Sequence, residues 1–459
     1  MMYTFPNKLR NLALAFMAIG FVGLVYGFIS APKTIEEAKA IMAANHEEGH
    51  ETIHNNPGTH DITDVNDQNS LNDTNHNKSE HKLTDHDKSH DAEHDEHVFH
   101  QLSNKPWAAL YVAAFFFFMI SLGVLAFYAI QRAAQAGWSP VLYRVMESIT
   151  AYLLPGGIIV IVILALSGLH LNHLFIWMDP EVVAHDKLIA GKTGYLNIPF
   201  FLIRALFFLS GWSLYRYFSR KFSLAQDLEK GISNHKKNFR ISAAFLVFFI
   251  VTESIMSWDW IMSIDPHWFS TLFGWYVFSS MIVSAVTSIA LISIYLKSKG
   301  YLEFVNDSHI HDLAKFMFGF SVFWTYLWFS QFMLIWFSNI PEEVTYFISR
   351  IEDYNLPFFG MLVMNFIFPL LVLINSDYKR KNYFVIMAGI VIILGHYVDV
   401  FNMIMPSAVG DQWFIGSAEI GGFLFFLGLF IFIVFKEMTK APLLAKGDPY
   451  MGESKRFHY

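Results

Sequence analysis

The chain contains no cysteine, and that single absence removes disulfides, thiol catalysis, iron–sulfur ligation and covalently attached haem from its own chemistry. Charge is scarce as well. Asp, Glu, Lys and Arg make up 15% of the residues, against about 25% in an average soluble domain. Hydrophobic residues reach 54% and aromatic residues 17%, a balance that excludes an ordinary soluble globule and points to an all-α polytopic membrane protein. The formal net charge of -7 carries no signal for nucleic acid, because the acid is concentrated in one loop while Lys and Arg gather at the ends of apolar segments. No nucleic-acid partner is expected; the lipid bilayer is.

Windows of about 20 apolar residues, enough to cross a bilayer as helix, occur ten times: near 10–30, 107–131, 143–169, 198–218, 239–261, 269–296, 313–338, 357–376, 382–404 and 413–435. Ten spanning helices are therefore expected. The first follows Lys8 and Arg10 and is longer than the apolar core of a cleaved signal, so it reads as an uncleaved anchor over 1–30. Basic residues cluster on alternate sides: Lys8, Arg10, Arg132, Arg144, the run Arg216–Arg240 and Lys379–Lys381 on one, and only Lys187, Lys192 and Arg350 in the short loops of the other. The positive-inside rule then puts both termini in the cytoplasm. Two similar four-helix bundles are expected, helices 2–5 (106–261) and 6–9 (262–404), flanked by helix 1 and by helix 10 (405–437), because charged residues recur at corresponding places in the two halves. The tail 438–459 is short and basic, with Pro442 and Pro449, and reads as a plain surface tail.

The outer loop 31–105 differs in kind. Between His46 and His100 it holds eleven of the twenty histidines and fourteen carboxylates with hardly an aromatic residue, a composition that cannot bury enough apolar surface to fold alone. It reads as a disordered, solvated insertion, with weak metal buffering or acid sensing as the alternative. No fixed ligand spacing of a structural metal site is present, and no metal centre is assigned.

The stretch Ile241–Tyr276 organises the rest. It is apolar enough to cross a bilayer yet carries Glu253 near its middle and Asp259 less than two turns later. An ionised carboxylate at that depth costs about 3 kcal/mol on insertion scales, so it must face a partner, a cavity or a proton path. The stretch breaks at Asp265-Pro266-His267. Trp258, Trp260, Trp268, Trp275 and Tyr276 crowd that turn, which suits the headgroup level of one membrane face. Farther on, His396, Asp399 and Asn402 are three apart and share a helix face.

These positions define the candidate sites. Glu253, Asp259, His396 and Asp399 are candidate proton-transfer groups, Glu253 first among them, since a carboxyl in apolar surroundings can load and unload a proton. His396 and Asp399, with Arg204 near, are candidates to contact a quinol headgroup, the imidazole accepting a phenolic proton. Glu147, His309, His311, Asp312 and Lys315 form a candidate proton entry at the cytoplasmic edge. Each has a plainer reading: an ion pair for Arg204 and Asp259, a bridging acid for Glu253, a solvated helix start for the entry cluster. Haem held by two histidines within the chain is not expected, because only His396 lies deep in a span.

The stretch Ser257–Tyr276, SWDWIMSIDPHWFSTLFGWY, together with Pro155-Gly156-Gly157 and the sequence around Gly395–Asp399, resembles the ActF-type membrane subunits of alternative complex III, a bacterial quinol:cytochrome c oxidoreductase related to NrfD and polysulfide-reductase anchors. The resemblance covers essentially all ten helices and leaves out the His-rich loop. It implies a subunit without its own haem or iron–sulfur cluster, active only within a complex. The implied partners are a paralogous quinone-site membrane subunit, an iron–sulfur subunit and c-type cytochromes, with menaquinol as the electron source. It further implies that the paralog holds the main quinol site while the ActF-type chain carries a proton route. Two alternatives stay open from the residues alone: a secondary transporter built on the same buried acids, and a structural anchor without chemistry of its own. For the transporter the one internal break visible in the sequence is Pro155-Gly156-Gly157, in one half only.

Overall fold

The computed structural model describes residues 2–41 and 85–458, without the side chains of 85–94 and 97. Among the described residues there is no β-strand, and ten helices are long and apolar enough to cross a membrane. They are α1 (Asn7–Ser30), α2 (Asp85–Ala133, apolar from Val98), α3 (Pro140–Gly168), α4 (Ile198–Gln226), α5 (Ser233–Ile264), α6 (Phe273–Ser298), α7 (Asp307–Ser338), α8 (Asn355–Leu373), α9 (Asn382–Val409) and α10 (Ser417–Met438). The protein is thus an all-α, multi-pass chain. Ten passes put the start of α1 and the end of α10 on one face, called here the terminal face. The Asp265-Pro266-His267 turn lies on the other, the turn face.

Burial shows what is central. The most apolar windows of α2 and α6 are 94% and 83% buried, against 22% for α1. These two helices touch directly: a Cβ on Gly123 of α2 would lie 2.7 Å from the Met281 carbonyl of α6. Around α2, the rings of Phe118, Trp212 (α4) and Trp260 (α5) pack together, and Ser121 donates to the Ile149 carbonyl of α3. Around α6 stand α7 and α9, with α8 packed on both of those. Two four-helix groups therefore meet through their first members. At the periphery α1 crosses α10 closely. A Cβ on Gly20 would lie 2.3 Å from the Phe425 amide, so only glycine lets the backbones approach this far.

Two spans are irregular. In α3 a 3₁₀ turn at Thr150–Tyr152 precedes Pro155, and in α8 a π turn at Val363–Ile367 precedes Pro369. The expectation of a break in one half only is corrected. Each proline removes a backbone donor and forces the preceding turn to re-register. The two breaks fall on the second helix of one group and the third of the other, so they do not form the matched pair of discontinuous helices that marks a transporter site.

The loop 31–105 also departs from expectation where it is described. Residues 35–41 are helical, and Asp85–Ala133 is one helix rather than a disordered lead-in. Extending an existing helix avoids the cost of nucleating a new one. Ala38, Val98 and Leu102, with Ile41 and Phe99, form a small apolar cluster, and Lys39 pairs with Asp95 at 2.5 Å. The metal-buffering reading rests on the eleven histidines from His46 to His100, of which His46 to His81, and the side chains of His86, His90, His94 and His97, lie outside the described residues.

The tail is not a plain surface segment. Asp448 pairs with Arg132 at 2.6 Å, the Gly447 amide donates to Asp227, Ser454 donates to the Trp138 carbonyl, and Asn306 donates to the Phe457 carbonyl. The last residues thus strap the end of α2 and the start of α3 to the start of α7. Burial raises the Asp448 carboxyl, but the His235 ring, 3.7 Å away, and the Arg132 guanidinium more than offset it, holding the group below its ordinary 3.8. A depressed carboxyl adds stability that is present above the ordinary value and lost as pH falls through the lowered one. Amide exchange over residues 445–455 is therefore expected to rise selectively once the pH drops below 3.8; an unchanged rate would mean that Asp448 does not hold the strap.

Candidate functional site

The sequence places its polar groups by depth; the structure sorts them into three separate places. On the terminal face, Glu147 at the start of α3 is enclosed by cations. Arg144 reaches it at 2.6 Å and Arg220 at 3.7 Å, while Tyr128 donates to its other oxygen at 3.0 Å. Arg144 also pairs with Asp227 at 2.6 Å, and Arg220 with Glu437 at 3.1 Å. The five groups close a buried ion network that ties α3, α4 and α10 together.

Glu147 does not join the other proposed entry residues. His309 is fully buried, caps α7 in a reciprocal box with Asn306 and faces the Ser454 carbonyl of the tail strap. His311 bonds Ser376, and Asp312 pairs with Lys315 at 3.2 Å. Capping and surface pairing account for this group, with the tail lying over His309.

The second place lies toward the turn face between α4 and α5. Arg204 grips Asp259 with two bonds, Nε to Oδ2 at 2.6 Å and Nη2 to Oδ1 at 3.0 Å, and Tyr195 donates to Oδ1 at 2.9 Å. The rings of Tyr195 and Phe200 flank the guanidinium at 4.0 and 4.2 Å, at right angles to each other. Every oxygen of Asp259 and most of the fork of Arg204 are used. Arg204 therefore serves Asp259, not the His396–Asp399 site where it was expected.

Glu253 lies on the same helix, about one and a half turns from Asp259, and is treated differently. It is 3% exposed, and its Oε1 accepts from Ser257 at 3.1 Å. Among the described residues no Arg, Lys or His pairs with it. A buried carboxyl without a counter-ion is held by neutral donors alone, which suits a group that carries a proton.

The third place is built by α6, α7 and α9. His396 and Asp399 are wholly buried and lie 3.4 Å apart. Ser280 of α6 is 2.9 Å from His396 Nδ1, Trp324 of α7 donates to Asp399 Oδ2 at 2.8 Å, and the Tyr276 hydroxyl donates to Asp399 Oδ1 in a short bond. No arginine or lysine pairs with Asp399 among the described residues. Among the described residues His396 Nε2 has no partner. Around this centre, Asn365 of the π turn packs against Gly395, where a Cβ would lie 2.1 Å from its Oδ1.

No family model matches the chain, and no curated protein matches it. Its chemistry is therefore argued from geometry.

Sequence reading missed most of the partners. Tyr276 and Trp260 looked like interface aromatics. Instead Trp260 is buried against Phe118 and Trp212, Tyr276 is bonded to Asp399, and Trp268 stacks on Tyr346 at 3.8 Å; of the five rings at the turn, Trp275 is the large exposed one. Ser280 and Trp324 gave no signal, because pairing across helices leaves no spacing in one sequence. Arg350 looked like a loop charge, yet it is 3% exposed and inserted beneath the turn face.

The cavity beside Tyr276 is lined by aromatic rings together with Gln331, Arg350 and Asn402, and its volume is about 10 Å³ for the centre of a water-sized body. That space fits one water and not an aromatic headgroup. His396 and Asp399 do not line that cavity, and no step is routed through a quinone at their site. Among the described residues no group of three or more His, Asp or Glu side chains is placed to hold a metal ion.

Proposed function

We propose that this chain is the proton-handling membrane subunit of a quinol-oxidising electron-transfer complex of the alternative complex III kind. The observation that carries the reading is the contrast among its buried acids. Glu147 and Asp259 are consumed by arginines. Glu253 and Asp399 sit fully buried with no arginine or lysine and are held by hydroxyls and an indole. A scaffold has no need of uncompensated acids in lipid, whereas proton transfer does. Asp399 and His396 then exchange a proton over their 3.4 Å separation, with Ser280 and Trp324 fixing the ring and the carboxylate.

In this reading the quinol, expected to be menaquinol, is oxidised on a paralogous membrane subunit, and electrons pass to iron–sulfur and c-type cytochrome subunits. The chain lies in a bacterial inner membrane with the terminal face toward the cytoplasm, as its basic loops suggest. Purification from native membranes through a tag on this chain is expected to bring down haem absorbance and an iron–sulfur signal in fixed proportion. A preparation with neither, but with the chain intact and folded, would rule the proposal out.

A further inference from the structure

Four buried side-chain atoms near the turn face lack a partner among the described residues and belong to residues lining one cavity: Arg350 Nη2, Trp328 Nε1, Gln331 Oε1 and Asn402 Oδ1. The rest of each group is already fixed. Arg350 donates through Nε to the Asn402 carbonyl at 3.1 Å and through Nη1 to the Tyr346 carbonyl at 2.8 Å, and its guanidinium lies 3.4 Å over the Tyr346 ring. Asn402 Nδ2 is spent on the Met361 sulfur at 3.2 Å, which settles which end of that amide is its free oxygen. Two donors and two acceptors are thus left over around a space of about 10 Å³. Leaving all four unmet is costly in a buried site.

We propose that this cavity is a built site for a single water molecule. It accepts from Arg350 Nη2 and Trp328 Nε1 and donates to Gln331 Oε1 and Asn402 Oδ1, four bonds, within the two to four usual for a buried water. Tyr276 also lines the cavity, and its hydroxyl, which now donates to Asp399, can donate to the water in place of Trp328 when it turns from the carboxylate. Resting on the proton-transfer reading above, this water is the link between the Tyr276–Asp399 pair and the turn face. Arg350 is the positioning residue: it is delivered by the amphipathic helix Pro341–Glu352, locked under Tyr346 and Trp268, and holds the water without touching Asp399. The donor count and the volume fix the ligand class as water; a cation is refused by the guanidinium, and a quinone ring by the space.

The test uses the full chain in lipid nanodiscs, alone and in its native assembly. Radiolytic footprinting in H₂¹⁸O marks side chains beside bound water, and high-resolution cryo-microscopy shows the water itself. Expected are density within hydrogen-bond reach of the four atoms and labelling of Met403 or Met361 despite their burial. Gln331→Leu removes an acceptor that has no protein partner, so folding is retained. It is expected to abolish the labelling and slow proton transfer to the turn face, while Gln331→Glu retains both. An empty cavity overturns the proposal, and so does a water whose loss leaves proton transfer unchanged. The labelling is read whether or not haem subunits co-purify, so its failure is distinguishable from failure of the functional reading.

Discussion

Arg204→Ala is expected to destabilise the protein by about 3–5 kcal/mol, the range measured when one partner of a buried ion pair is removed, read as a lower thermal midpoint in detergent. The reason lies in the geometry of the pair. Asp259 is fully buried and receives two charge-assisted bonds from Arg204, with Tyr195 as its third donor. Truncating Arg204 leaves a carboxylate among Trp, Phe and lipid with one phenol for company. The double change Arg204→Met with Asp259→Asn removes both charges while keeping an acceptor for Tyr195, and most of the lost stability is expected to return. If the single change costs no more than the double one, Asp259 is not held by this pair, and it rejoins the candidates for proton transfer.

Glu253→Gln is expected to act in the opposite way, with little change in stability and a large loss of function. Glutamine has the size of glutamate and still accepts from Ser257, the bond that Glu253 makes now. What it loses is the exchangeable proton. Positioned proton-transfer groups contribute on the order of 10²-fold or more to rate, so coupled proton uptake by the assembled complex is expected to fall by at least about 10²-fold while the subunits still assemble. Glu253→Ala is a poorer test because it opens a cavity as well. Retained uptake in the glutamine variant, measured with a pH-sensitive dye in sealed vesicles, would make Glu253 a bridging acid and leave Asp399 as the remaining carrier.

The two variants separate two kinds of buried acid that a sequence cannot tell apart. Asp259 and Glu253 lie on the same helix and both break an apolar run, so the same cost of burial argues for both. What distinguishes them is a guanidinium delivered by a neighbouring helix to one and not to the other. The same holds for the terminal face, where the proposed entry residues looked alike as charged helix starts. Three arginines from α2, α3 and α4 surround Glu147, whereas His309 is turned into a helix cap beneath the tail. Charge in the sequence marked the residues; the partners that neutralise them came from elsewhere in the chain.

The sequence by itself determined that the chain is helical, that it crosses a membrane ten times, and which few positions carry charge inside it. These follow from local properties: runs of apolar residues long enough for hydrocarbon, and a backbone that must satisfy its own hydrogen bonds there. Only the tertiary structure decided which acids are neutralised and which are free, that the tail is a strap, and that Arg350 lines a cavity. Those outcomes depend on the rotation and depth at which separate helices meet, fixed by side-chain packing and close glycine contacts such as Gly20 against Phe425 and Gly123 against Met281. A single chain's periodicity gives the face of each helix; it does not give which other helix that face will find.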